Sequence, residues 1–212
     1  MVARILICLI CGYGFGCIST GYLVGKAYHV DIRKYGSGNA GTTNALRTLG
    51  WKAGALTYLG DFLKAIIPIL LFRNILFADV DYAQLLGLYT GLGVVLGHNY
   101  PFWLHFKGGK GIAVTTGVMA AFDPLLIPTF IIVFVVAVAI TRYVSLGSLL
   151  LSILFPIWIA IRHPGDIHML IIGLIYAASA FYTHRANIKR LLNGTENKLG
   201  QKVKIDPNQE KQ

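Results

Sequence analysis

Seven runs of apolar residues, at roughly 3–25, 52–76, 83–101, 112–123, 125–141, 144–161 and 167–183, take up most of the 212-residue chain. About 20 consecutive apolar residues suffice for a helix to cross the hydrocarbon core of a bilayer, where every backbone polar group must be satisfied internally. Only 13% of the residues are charged, against about 25% in a soluble globular chain. The chain is therefore expected to be an all-α, polytopic integral membrane protein with about seven transmembrane helices. Several runs fall short of spanning length, which leaves room for tilted helices or for a half-buried fourth segment. The first run lacks a small-x-small cleavage site followed by a soluble domain, so it is read as a retained span rather than a signal peptide.

The net charge of +10 is compatible in principle with nucleic acid or with an anionic membrane face; the hydropathy selects the membrane. Lys and Arg orient the spans. With the N-terminus outside, Lys26, Arg33, Lys34, Arg47, Lys52, Lys107, Lys110, Arg142 and the seven basic residues after the last run share one side. Only Arg4, Arg73 and Arg162 fall on the other, beside Asp79, Asp81, Asp123 and Asp166. The polar stretches 26–52, 102–111 and 184–212 are thus expected to be cytoplasmic. Residues 1–198 read as one transmembrane domain, and 199–212 as a polar tail without apolar periodicity, expected to be disordered.

Cys8, Cys11 and Cys17 all lie in the first run, so neither a disulfide framework nor a Cys/His metal site is expected. Asp61 and Lys64, three residues apart inside the second run, share a helix face. Ionisable residues at that depth face a protein interior or a cavity, so the pair is either structural or part of the wall of a site.

The polar stretches carry the chemistry. Gly36 to Arg47 reads Gly-Ser-Gly-Asn-Ala-Gly-Thr-Thr-Asn-Ala-Leu-Arg. Glycines allow close backbone approach to a ligand and turn successive N–H groups inward into anion-binding nests. Ser37, Thr43 and Asn44 add short polar groups, and Arg47 a fork suited to phosphate. Gly36, Gly38 and Gly41 formally match a dinucleotide fingerprint, but no strand precedes them, and Thr42 stands where a nucleotide P-loop requires lysine. The second stretch, Gly97-His98-Asn99-Tyr100-Pro101 through Phe106-Lys107-Gly108-Gly109-Lys110-Gly111, again surrounds cations with glycines. His98 fits a hydrogen-bonding cap at a helix end as well as a catalytic group, and His105 is set aside. In the third, His184, Asn187 and Leu191 fall on one helical face while Arg185 and Lys189 turn elsewhere; a positive-inside anchor explains the basic residues but not His184 and Asn187. Three such stretches on one membrane face predict a phosphorylated substrate at that interface. No metal cluster, no His-x-x-x-x-Asp pair and no Gly-x-Ser-x-Gly nucleophile is present to suggest other chemistry.

Taken together, these stretches resemble the motifs of the bacterial membrane glycerol-3-phosphate acyltransferases that use acyl phosphate as donor: Gly-Ser-Gly-Asn-x-Gly-x-Thr-Asn-x-x-Arg, Gly-His-x-x-Pro running into Phe-Lys-Gly-Gly-Lys-Gly, and His-x-x-Asn-Ile-x-Arg-Leu-x-x-Gly-x-Glu. The resemblance covers about residues 1–198. It implies transfer of an acyl group from acyl phosphate to glycerol 3-phosphate at the cytoplasmic face of a bacterial plasma membrane, with no cofactor or metal. It also implies a soluble partner enzyme that makes the donor. Carried over by position, it implies catalytic roles for His184, Asn187 and Lys107, and substrate binding by Ser37, Gly38, Asn39, Thr43, Asn44, Arg47, Gly108, Gly109, Lys110 and Gly111. Cys17 departs from the pattern, standing where relatives often have serine.

An acyl phosphate has a good leaving group, so positioning and anion stabilisation suffice without an enzyme nucleophile. Either His184 or the substrate phosphate takes the hydroxyl proton, and either glycine loop holds either phosphate. A transporter of phosphorylated molecules is the rival, but transporters tend to hold substrates near the midplane between paired repeats. No repeat is visible here, and the loops cluster on one face.

Overall fold

The computed structural model describes residues 1–201, and all regular structure in that range is helical. Ten α-helices follow in order: α1 (Val2–Gly16), α2 (Thr20–Ala27), α3 (Thr42–Leu49), α4 (Trp51–Leu71), α5 (Ala83–Asn99), α6 (Ile112–Phe122), α7 (Leu126–Thr141), α8 (Val144–Arg162), α9 (Ile167–Thr183) and α10 (Arg185–Leu192). A π-helical turn, Phe72–Leu76, extends α4.

Each apolar run is helical, but among the described residues only Val2–Ala27, Trp51–Leu76 and Val144–Arg162 are long and apolar enough to cross a membrane on their own; a fourth stretch qualifies if α9 and α10, bent by 63°, are taken together. With 11 residues, α6 rises only about 17 Å, so the fourth run is a short helix below spanning length. The first run is not continuous. Its helix breaks at 17–19, where the Cys17 carbonyl accepts from Trp103 Nε1 at 2.8 Å and the Ile18 carbonyl from Lys64 Nζ at 2.7 Å. A chain can leave the helix inside an apolar layer only where such partners wait.

Large apolar side chains cover the outside as well as the core, and polar and charged ones are buried. Ile7 and Ile10 on α1, Leu59, Leu63 and Ile67 on α4, Ile131, Ile132, Val135 and Ile140 on α7, and Ile157 and Ile161 on α8 point outward. Thr57, Asp61, Lys64, Thr90, Ser148, Ser152 and His184 are buried. Apolar contacts among α4, α5, α6, α8 and α9 form the core, with Ile69, Leu88, Val118, Phe122, Phe155, Ile159 and Tyr176 at its centre.

The tightest crossing is between α1 and α5. Gly12 and Gly16 on one helix meet Gly93 and Gly97 on the other, both pairs four residues apart, and a Cβ at any of the four would fall 2.1–2.3 Å from a carbonyl oxygen of the opposite helix. Where lipid offers no hydrophobic drive to association, such close backbone contact supplies the attraction.

Of the tail expected from 199 onward, residues 202–212 lie outside the described residues. Leu199 is tied down: its N–H donates to the Arg142 carbonyl at 2.7 Å, and Arg142 Nη2 donates back to its carbonyl at 2.9 Å.

Candidate active site

A cavity of about 380 Å³ runs from the polar stretches into the apolar body of the bundle. Ser37, Asn39, Arg47, Lys110, His184 and Asn187 line one part of it; Phe62 of α4, Phe130, Ile131, Phe134 and Val135 of α7 and Leu151 of α8 line the other.

Local geometry explains how the first stretch forms the polar end. Gly36 and Gly38 take φ values of +61° and +69°, which the other residue types rarely adopt. The turn they make is held from inside by Asn44, whose Oδ1 accepts from the Ser37 N–H at 2.9 Å while Nδ2 donates to the carbonyls of Ile32 and Tyr35 at 2.8 and 3.1 Å. Gly41 then caps α3, and Gly41, Thr42 and Thr43 line the cavity. Gly111, with φ of +82°, caps α6, whose first residues, Ile112 and Ala113, also line it. The partial positive ends of two helices thus meet at one cavity. Asn39 joins the loops, donating from Nδ2 to the Gly108 carbonyl at 3.1 Å.

The third stretch closes the ring. Lys110 Nζ donates to Asn187 Oδ1, and Thr183 Oγ1 to the Lys110 carbonyl at 3.2 Å. Asn187 Nδ2 donates to Glu196 Oε1 at 2.7 Å, Ser145 Oγ to the same oxygen at 3.0 Å, and Arg190 Nε to Glu196 Oε2 at 2.7 Å. His184 Nδ1 donates to the Ala180 carbonyl at 2.8 Å, which leaves Nε2 as a lone-pair acceptor.

Arg47, Lys110 and Arg190 therefore gather around the single carboxylate of Glu196. Burial pulls Lys110 down to about 8; Arg190 and, more weakly, Arg47 act the same way, and Glu196 opposes them. Burial also lowers the Arg47 guanidinium, with Glu196 acting against the shift and Arg190 with it. His184, just beyond the end of α9, is lowered to about 4 by burial and then by the Lys110 charge, so it is neutral near pH 7. Cations held close together and partly dehydrated form a site that an incoming anion relieves.

Comparison with known proteins agrees with this chemistry. The model of a family described as glycerol-3-phosphate acyltransferase matches residues 6–194. The chain belongs to this family. It is 48% identical to the glycerol-3-phosphate acyltransferase of Clostridioides difficile, over 93% of this chain and 96% of that one. Identity to the enzyme of the same name from Thermoanaerobacter sp. is 43%, over 92% and 96%. Among solved structures, PlsY (YgiH), an integral membrane glycerol 3-phosphate acyltransferase, superposes in its glycerol 3-phosphate form with a TM-score of 0.84 at 37% identity, covering 92% of this chain and 96% of that one. Its lysophosphatidic acid form gives a TM-score of 0.81 at 36% identity, covering 93% and 96%.

Within this membrane acyltransferase fold, the expected site residues do not all reach the cavity. Ser37, Asn39, Thr43, Asn44, Arg47, Lys110, Gly111, His184 and Asn187 line it; Gly38, Gly108 and Gly109 do not, and they shape the loops behind it. Lys107 is exposed and away from the lining, because His105 and Phe106 turn the chain with φ of 55° and 59°. Three lining residues, Ser145, Arg190 and Glu196, receive no role in the sequence reading, although Arg190 and Glu196 are fixed positions of the third motif. Ser145 carried one signal: with Ser148 and Ser152 it forms a polar stripe at helical spacing inside an apolar run.

Proposed function

We propose that the protein transfers an acyl group from an acyl phosphate to glycerol 3-phosphate, giving 1-acylglycerol 3-phosphate and phosphate. One observation carries the proposal: a cavity whose polar end gathers Arg47, Lys110, Arg190 and two helix N-termini continues without a partition into an apolar channel between α4, α7 and α8. Such a shape fits a phosphorylated head with an acyl chain attached or arriving.

The glycerol hydroxyl oxygen attacks the acyl carbonyl carbon, a carbon–oxygen ester bond forms, the bond from that carbon to the phosphate oxygen breaks, and phosphate leaves with the electron pair. Arg47, Lys110 and the first-turn N–H groups of α3 and α6 stabilise the charge that gathers on phosphate. His184 presents Nε2 as acceptor to the hydroxyl and orients it. With its conjugate acid near 4, it is a weaker base than a phosphate oxygen with a second pKa of about 6, and the proton passes to phosphate.

Seven crossings with the N-terminus outside would place the three polar stretches at the cytoplasmic face of a bacterial plasma membrane, where a soluble enzyme supplies the acyl phosphate. Residues 1–198 form the acyltransferase domain.

The deciding measurement is formation of lysophosphatidic acid from labelled glycerol 3-phosphate by the purified protein, offered palmitoyl phosphate and palmitoyl-CoA in parallel. Product from palmitoyl phosphate alone, lowered by about 10- to 100-fold in Arg47→Ala, which loses a charge-assisted contact to the reacting phosphate, is the expected result. Product from the CoA donor alone overturns the donor assignment.

A further inference from the structure

Beneath the second glycine loop lies a charged unit to which the proposed transfer assigns no step. Lys64 Nζ sits 2.8 Å from Asp61 Oδ1, 2.7 Å from the Ile18 carbonyl and 2.9 Å from His98 Nδ1. All three side chains are buried, at 7%, 0% and 3% exposure for Lys64, Asp61 and His98, and both Asp61 and His98 line the cavity.

The distances fix where the protons are. His98 Nδ1 is 3.5 Å from the Asp61 carboxylate, whereas Lys64 approaches that carboxylate to 2.8 Å, so the ion pair is between lysine and aspartate. A protonated amine has three hydrogens and no lone pair. One serves the Ile18 carbonyl and another points at His98 Nδ1, which must accept it, while the carboxylate is held by charge as an ion pair. The ring is therefore neutral with its hydrogen on Nε2, and the whole unit carries no net charge, the state that a poorly solvated interior tolerates best.

That Nε2–H has no hydrogen-bond partner among the described residues, and it is aimed at the glycine loop: a Cβ at Gly109 would stand 1.9 Å from Nε2. The loop is locked to the same helix end through its backbone, Gly109 N–H donating to the His98 carbonyl at 3.0 Å and Gly108 N–H to the Asn99 carbonyl at 3.1 Å. We propose that His98 is a further binding residue of the reaction, its Nε2–H donating to an oxygen of a phosphate held in the cavity beside Lys110 and Gly111. Asp61 and Lys64 are positioning residues that fix its tautomer. The assignment of a phosphate here rests on the transfer reaction proposed above.

The test has a spectroscopic and a kinetic arm. In protein labelled with [15N]histidine, the His98 ring, identified by its absence in His98→Gln, is expected as the neutral Nε2–H tautomer, and saturating glycerol 3-phosphate or inorganic phosphate is expected to shift its Nε2 signal. A Nδ1–H tautomer, or a signal unmoved by either anion, overturns the proposal. In the kinetic arm, His98→Asn removes the donor from the Nε2 position and His98→Gln replaces it there. His98→Asn is expected to raise KM by about 10- to 100-fold with a smaller change in kcat, the effect of one hydrogen bond to a charged group. His98→Gln should keep KM at least tenfold below the Asn value. A rise for glycerol 3-phosphate alone puts the acceptor's phosphate at Nε2; a rise for palmitoyl phosphate alone puts the donor's there. Equal losses in both variants, at equal yield of monodisperse protein, make His98 purely structural and overturn the proposal. Failure of the wild-type protein to make lysophosphatidic acid would refute the reaction itself while leaving the tautomer and anion shift to be read on their own.

Discussion

Lys110 is the cation at the site whose charge depends on pH within a measurable range. Burial, Arg190 and Arg47 hold it at about 8, so it is charged below that value and neutral above. A site that attracts phosphate through this charge weakens as pH rises. The expected profile of kcat/KM for glycerol 3-phosphate falls on the alkaline side with an apparent pKa of about 8, a property of the free enzyme. In Lys110→Arg the alkaline limb disappears, because a guanidinium stays charged throughout. Arg47, Lys110, His184 and Asn187 were legible in the sequence because the first two stand in or beside glycine-rich segments and a positive-inside anchor accounts for neither of the other two. Lys107 looked the same in sequence, yet two consecutive left-handed residues turn it away, and such backbone turns at His105 and Phe106 leave no mark in composition. Arg190 and Glu196 stood in the third motif without a role, Arg190 because a positive-inside anchor explains it and Glu196 because an acid among basic residues reads as a solvated charge. Only folding reveals that Glu196 collects Asn187, Ser145 and Arg190.

At the level of helices, the crossing of α1 and α5 offers a matched pair of substitutions. A Cβ at Gly12 would lie 2.2 Å from the Thr90 carbonyl oxygen, whereas one at Gly14 meets nothing within 4 Å. Gly12→Ala is expected to destabilise the protein by about 1–3 kcal/mol through overpacking, read as a lower midpoint in a thermal-stability assay in detergent. Gly14→Ala on the same helix should match or slightly exceed the wild type, since alanine favours the helix. The helical nature of every apolar run followed from hydrophobicity alone. Where the first run breaks did not, because the groups that satisfy its freed carbonyls, Lys64 and Trp103, come from 46 and 86 residues away. The shortness of α6 was only partly visible: Gly111 before it is explicit, but Asp123 after it is a weak signal until the fold supplies Trp158 and Arg162 as its partners.

For the whole molecule, the apolar exterior and the polar groups gathered inside follow from one requirement, that the solvent around most of the surface is lipid. The proposed orientation makes a direct prediction. In a background with Cys8, Cys11 and Cys17 replaced by alanine, a cysteine at Asp79 should react with an impermeant maleimide added outside intact cells, and one at Lys189 only after the membrane is opened. Both native positions are exposed, so the outcome reports sidedness; the reverse pattern inverts the topology.

The cavity joins a polar mouth to an apolar channel, and this has a kinetic consequence. Glycerol 3-phosphate reaches the protein by diffusion in three dimensions, whereas a molecule with a long acyl tail travels in the plane of the leaflet. For that partner the effective concentration is its mole fraction among the surrounding lipids, not its amount per volume of solution. Diluting the bilayer with inert lipid at constant total donor would then slow the reaction as though substrate had been withdrawn, and the rate of phospholipid synthesis would respond to how crowded the membrane already is.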